Sequence, residues 1–243
     1  GIAPTAPVTG PKTRAKLTQL LLAAASAPVS PPPAPEPSPV APPAPAPEPE
    51  PAPPSVPACR TRPVPAEYPT IAAAISAACA GDTVLLADGT YTEAIVDVTK
   101  GVTIRGEHGA DKATIAPKFG AALFISRSVS DLVIDGLTLE NSSGFAPVEV
   151  GGGPEDAITL TVRNAVVKGV GAGISLSGPG GKITIERTLV RAVAHAVTDA
   201  FTGTVALDHV TIIGGSVGYY LNALSGSHPV RNSIIANSTE DGV

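Results

Sequence analysis

Between Leu132 and the end of the chain, apolar residues come in pairs two apart, then a polar break, then a second pair. The copies read Leu132-Val-Ile-Asp-Gly-Leu-Thr-Leu, Leu160-Thr-Val-Arg-Asn-Ala-Val-Val, Ile183-Thr-Ile-Glu-Arg-Thr-Leu-Val and Val205-Ala-Leu-Asp-His-Val-Thr-Ile, with Pro229-Val-Arg-Asn-Ser-Ile-Ile following from His228. Their starts lie 28, 23, 22 and 23 residues apart. Alternation at spacing two marks a strand with one buried face. A period of this length marks a solenoid, whose units bury their apolar faces only against their neighbours. The second position of the break holds Gly136, Asn164, Arg187, His209 and Asn232, with Gly106 in an earlier copy. Gly and Asn tolerate the left-handed backbone that a sharp corner between strands requires; Arg187 and His209 depart from that expectation. A third strand follows in Ile174-Ser-Leu176, Val197-Thr-Asp199 and Tyr219-Tyr-Leu221. Three short strands per coil, rising about 4.8 Å from coil to coil, predict an all-β fold, a right-handed parallel β-helix. The fixed Leu-x-x-Leu-x-Leu frame of leucine-rich repeats does not fit these copies.

Ahead of the repeats, Pro69-Thr-Ile-Ala-Ala-Ala-Ile-Ser-Ala-Ala-Cys-Ala-Gly81-Asp82 reads as one helix. Thr70 serves as N-cap, Ile71, Ile75, Ala78 and Cys79 share a face, and Gly81 stops the helix. A solenoid needs its open first coil covered, and this helix is the natural lid. Thr83-Val-Leu-Leu-Ala-Asp-Gly-Thr-Tyr91 then gives a strand and a tight Asp88-Gly89 turn.

Tyr68-Pro-Thr-Ile-Ala-Ala-Ala-Ile-Ser-Ala-Ala, Gly81-Asp-Thr-Val-Leu-Leu-Ala-Asp-Gly-Thr-Tyr-Thr-Glu93 and Val102-Thr-Ile-Arg-Gly-Glu107 resemble the opening of pectin-lyase-fold proteins, pectinesterases among them. Gly89-x-Tyr91-x-Glu93 is similar to the pectinesterase Gly-x-Tyr-x-Glu motif. The resemblance covers about residues 66–243 and implies the β-helix fold. It does not carry the activity over. The family's Gln-Asp-Thr-Leu, Asp-Phe-Ile-Phe-Gly and Leu-Gly-Arg-Pro-Trp strings are missing, and the chain has no Trp. The polygalacturonase sets and the Asp-Pro-His-Asp motif of alginate epimerases are missing too.

Composition divides the chain into residues 1–27, 28–58 and 59–243. Residues 28–57 hold 16 Pro among 30, which predicts an extended polyproline II spacer reaching up to roughly 90 Å. Before it, Lys12-Thr-Arg-Ala-Lys16, an apolar run and Ala25-Ser-Ala27 resemble a signal peptide, or else the end of an upstream region. The apolar run is too short to span a bilayer. Cys59 and Cys79 are the only cysteines. Two arrangements stay open: a disulfide stapling the lid for about 3 kcal/mol in the loop-entropy model, which implies an oxidising compartment, or two buried free thiols. The repeat reaches Ile234 and Ile235 with no lid in sight at Val243, which predicts further coils beyond. A net charge of −5 gives no basic footprint and argues against nucleic acid as a partner.

Two polar columns are candidates for chemistry. The first position of each corner, Arg105, Asp135, Arg163, Glu186, Asp208 and Arg231, mostly alternates in sign and reads either as an exposed ion-pair ladder that fixes register or as a polar stripe for a sugar acid. On the third strand, Glu149, Ser175, Thr198 and Tyr220 are expected to face outward, with His195, Asp199, Tyr219 and His228 nearby. Asp199 aligns with Leu176 and Leu221, which implies either an inward-facing carboxylate or a local irregularity. The pectin-lyase-fold resemblance implies a substrate groove along one sheet. Glu149, His195 and Tyr220 are the candidate binding residues, through carboxylate hydrogen bonds and stacking on sugar rings. No cluster has zinc spacing and no cofactor is called for, although calcium stays open. The expected protein is a secreted or surface-tethered module engaging extracellular polysaccharide, with no membrane span and its oligomeric state open. A carbohydrate-active enzyme with some catalytic coils beyond Val243, and a structural spacer or adhesin, are the alternatives.

Overall fold

A computed structural model describes residues 59–236. The segments 1–27 and 28–58, with the signal-peptide and spacer expectations, and the chain beyond Ala236 lie outside the described residues. After β1 (Thr61–Val64) and α1 (Ile71–Ala77), the chain winds through β2 (Thr83–Leu86), β3 (Gly89–Tyr91) and β4 (Ile95–Val96). The next coils are β5 (Thr103–Gly106), β6 (Ala113–Ile115), β7 (Leu123–Ile125), and β8 (Val129–Asp135), β9 (Thr138–Asn141), β10 (Val148–Gly151). Then come β11 (Ile158–Arg163), β12 (Val166–Gly169), β13 (Ile174–Gly178), and β14 (Gly181–Glu186), β15 (Leu189–Ala192), β16 (His195–Phe201). The last are β17 (Thr204–Asp208), β18 (Thr211–Gly214), β19 (Val217–Leu221), β20 (Val230–Arg231) and β21 (Ile234–Ala236). They form parallel sheets of 8, 7 and 6 strands, and each strand pairs only with its counterparts one coil away. The fold is the right-handed parallel β-helix that the repeat predicts.

Pairing stacks like on like. The first sheet buries the column Val84, Ile104, Ile134, Val162, Ile185, Leu207, one residue per coil. The second buries Ile115, Leu139, Val167, Val190 and Ile212 in the same way. Because each side chain rests on its equivalent, aliphatic residues fill these columns coil after coil, and the buried aromatics Phe201 and Tyr219 come only in the later coils.

The corner from the first sheet to the second is left-handed at Gly136, Asn164, Arg187, His209 and Asn232, with φ of 63°, 49°, 46°, 54° and 51°. Gly106 is not left-handed. Glycine is needed there because a Cβ would collide with the Gly136 carbonyl oxygen. The charged column beside the corner is paired rung by rung, but the expected alternation is only partly realised. Arg163 binds Asp135 at 3.0 Å, whereas Glu186 and Asp208 are paired neighbours of like sign. Each takes a partner from the corner itself: Arg187 lies 2.8 Å from Glu186, and His209 lies 3.1 Å from Asp208. The two residues that fit the left-handed turn least well are the two that face this like-charge rung.

The lid is held at both ends by side chains from later coils. Thr70 accepts from the Ala73 N–H at 3.1 Å, and the Glu93 carboxylate accepts from the Ile71 and Ala72 N–H groups at 2.8 and 3.2 Å. Lys100 Nζ donates to the carbonyls of Ile75, Ser76 and Ala78. Tyr91 OH donates to the Ala87 carbonyl at 2.9 Å. Tyr91 and Glu93 of the Gly-x-Tyr-x-Glu motif therefore brace the first coil and cap the lid helix.

Two expectations are corrected here. The helix ends at Ala77, with Ala78 as its C-cap, so it stops short of Gly81. Lys100 takes the last carbonyls and Asp82 takes the Cys79 N–H at 2.9 Å, which draws the chain off the helix. Cys79 consequently lies in the following turn, and Cys59 and Cys79 are exposed free thiols, neither bridged nor buried. In their place Asp82, 2% exposed, ties the lid down. It accepts from Arg60 N–H at 2.8 Å, from Cys79 N–H, and from Arg62 at 2.7 Å.

Two outcomes are expected. The backbone N–H groups of Arg60 and Cys79, then the Arg62 guanidinium, lower the Asp82 pKa to about 2. In the unfolded chain it titrates at about 3.9, so its stabilisation is complete above that pH and lost as pH falls through about 2. Urea unfolding at stepped pH should show this loss, and Asp82→Asn should be less stable at pH 7 with a flatter acid profile. His209→Asn should stabilise the protein by about 1 kcal/mol at pH 8, because Asn accepts the left-handed backbone and an exposed pair with Asp208 contributes little. An unchanged or lower urea midpoint would show that the corner carries no strain at His209.

Candidate functional site

The outward column of the third sheet runs Val96, Phe124, Glu149, Ser175, Thr198, Tyr220, each paired with the next. Glu149, Ser175, Thr198 and Tyr220 thus lie on one continuous face, as the sequence alignment expected. The lower half of this face is a cleft of about 360 Å³. Its floor is Val96, Phe124 and Glu149, and its wall is Phe119 and Phe145, which project from the loops entering β7 and β10. Phe119 is 84% exposed and Phe145 55%. A half-buried carboxylate among aromatic rings can accept hydroxyl hydrogen bonds while the rings cover an apolar face of a ligand.

The three candidate residues do not form one cluster. His195 and Tyr220 meet, their ring centroids 5.8 Å apart and tilted by 33°. Glu149 is separated from Tyr220 by the Ser175 and Thr198 rungs, about 14 Å along the helix axis. Two hydroxyl rungs therefore link a carboxylate–aromatic end to an imidazole–phenol end. Sequence reasoning missed Phe119 and Phe145 because they sit in loops outside the repeat register. The signal was compositional: the chain has 4 Phe, and this cleft uses Phe119, Phe124 and Phe145.

Asp199 faces inward, one of the two arrangements its alignment left open, and is 0% exposed. It interrupts the column Ile125, Val150, Leu176. Its Oδ2 accepts from Tyr219 OH at 2.6 Å and pairs with His228 Nδ1 at 2.8 Å, while Oδ1 accepts from Phe201 N–H at 3.1 Å. His228 Nε2 faces the Ser225 carbonyl at 3.2 Å. Both ring nitrogens of His228 are thus engaged, one by the buried carboxylate and one by a backbone carbonyl. Burial first, then the Asp199 carboxylate, pushes the Tyr219 pKa well up, so its hydroxyl stays protonated. This network fastens the turn after β19, the strand that carries Tyr220. Asp199 itself is sealed from solvent.

Among the described residues, no group of three or more His, Cys, Asp or Glu is placed to hold a metal ion. No described helix is long and apolar enough to cross a membrane.

No sequence-family profile and no curated protein sequence matches this chain. Solved structures do. A pectin methylesterase in complex with hexasaccharide VII aligns with a TM-score of 0.50 at 15% identity, over 67% of this chain and 59% of that one. Pectin methylesterase PemA from Erwinia chrysanthemi gives 0.49 at 15% identity with the same coverage. The pectin methylesterase from Aspergillus niger gives 0.39 at 14% identity, over 77% of this chain and 88% of that one. The chain thus spans 59% of the length of the first two. The likeness shows the fold, a pectin-lyase-type β-helix.

Asp199→Ala should cost about 3 kcal/mol, since it leaves the paired His228 and the Tyr219 hydroxyl without their acceptor. Urea unfolding measures it. A cost below about 1 kcal/mol would mean that the network does not hold the turn.

Proposed function

We propose that this β-helix is an extracellular polysaccharide-binding module whose third-sheet face takes a glycan chain lengthwise. The observation that carries the reading is the cleft in which Phe119, Phe124 and Phe145 surround Glu149, continued by the Ser175, Thr198 and Tyr220 rungs. Aromatic faces cover the C–H faces of sugar rings, and the carboxylate and hydroxyls accept and donate to sugar hydroxyls. The cleft lining holds one ionised group, the Glu149 carboxylate, and no cation. That favours an uncharged stretch of glycan over a uronate. The resemblance in sequence to secreted pectin-lyase-fold proteins supports the extracellular placement. So does the Pro-rich segment 28–58, a composition suited to a spacer.

The structural neighbours named as pectin methylesterases favour a second reading, a carbohydrate-active enzyme. Against it, Glu149 is the single carboxylate on the outward column. Acid–base or nucleophilic work on a glycan ordinarily needs a second group within hydrogen-bond reach.

Affinity electrophoresis of the full chain in gels containing xylan, laminarin or fully methyl-esterified pectin separates the readings. Retardation by at least one of these gels is expected, and Phe119→Ala/Phe145→Ala should weaken it about tenfold. No retardation in any gel, or retardation untouched by the double variant, would move the site off this face. Methanol release from the esterified pectin would favour the enzyme.

A further inference from the structure

The described register brings like charges face to face on two rungs: Glu186 with Asp208, and Lys168 with Arg191. Like charges directly opposite each other on a sheet are destabilising. At the first rung the protein supplies a polar partner to each side, Arg187 to Glu186 and His209 to Asp208. At the second it does so for one side only. Lys168 Nζ lies 3.5 Å from Glu140, whereas Arg191 makes no ion pair among the described residues, and its other neighbour is Ile213. A net positive rung is thus left on the outer face of the second sheet, in a protein of net charge −5.

This rung forms part of a concave surface. Lys168, Arg191, Glu140, Val170 and Val193 line a depression of about 240 Å³. Val170 and Val193 are 51% and 70% exposed, and each follows its cation by two residues on consecutive coils. The arrangement is the same unit twice over: a cation on the strand and an apolar side chain at the corner beyond it.

We propose that Lys168 and Arg191 form a second binding site, for the carboxylate or sulfate groups of an acidic polysaccharide. The ligand supplies the anion that the Arg191 side lacks, and Val170 and Val193 cover the apolar face of the sugar that bears it. A free oxyanion would use the cations and leave the valines idle. The site lies on a different sheet from the aromatic cleft and takes an anionic rather than an uncharged glycan, so it does not depend on the reading of that cleft.

The test is isothermal titration of the full chain with alginate at low salt, alongside dextran sulfate, neutral xylan and inorganic phosphate. Alginate or dextran sulfate should bind, and more weakly as salt is raised. Lys168→Gln/Arg191→Gln should weaken that binding about tenfold, and Lys168→Glu/Arg191→Glu should weaken it further. A thermal melt checks that both variants fold. Neither should change xylan binding, whereas Phe119→Ala/Phe145→Ala should leave alginate binding intact. The proposal is overturned if the parent binds neither acidic polymer, if the Gln variant binds them as the parent does, or if phosphate competes them off at equal charge concentration.

Discussion

Parallel pairing between successive coils is the constraint on which the molecule rests. It places every residue about 4.8 Å above its equivalent, so a choice made once is made along a whole column. Aliphatic columns fill the interior, the corner from the first sheet to the second takes a left-handed backbone from Gly136 to Asn232, and outward columns become rows of repeated chemistry. The same rule makes exceptions informative. A charge that meets its own sign on the next coil needs compensation. An inward polar residue such as Asp199 has to bring its own donors, here Tyr219 and His228.

The lid shows how a local signal is overruled by the coils it covers. The sequence around Thr70 specifies where the helix starts, because its cap is local: Thr70 accepts from Ala73, three residues on. Its end is set from outside. Lys100 reaches Ala78 across 22 residues of sequence, and Asp82 gathers N–H groups from Arg60 and Cys79. That carboxylate performs the tethering that the two cysteines suggested, by hydrogen bonds rather than a covalent link.

Legibility followed the same division. The period, the third strand and its register were readable because each depends on a pattern that recurs coil after coil; Ile174, Val197 and Tyr219 pair as their alignment indicates. The left-handed corner was readable from Gly136, Asn164 and Asn232, while Arg187 and His209 become intelligible only once Glu186 and Asp208 are seen side by side. Glu149 and Tyr220 share the outward column that their alignment indicates, and His195 meets Tyr220. Their separation into two ends was countable from the repeat, since two rungs intervene. The Phe119 and Phe145 wall was not, because loops obey no period.

A columnar architecture also bears on what kind of chemistry the face can do. Outward side chains of neighbouring rungs project side by side, which suits a linear ligand met at intervals and does not by itself make groups converge on one atom. Catalysis needs convergence within hydrogen-bond distance. The described residues achieve it with a carboxylate, an imidazole and a phenol at Asp199, His228 and Tyr219. That cluster lies inside the solenoid, with Asp199 sealed from solvent and His228 occupied on both nitrogens. The exposed His108–Asp88 and His209–Asp208 pairs sit at the corner between the first and second sheets, so the groups on the third-sheet face are left spaced for contact along a linear ligand.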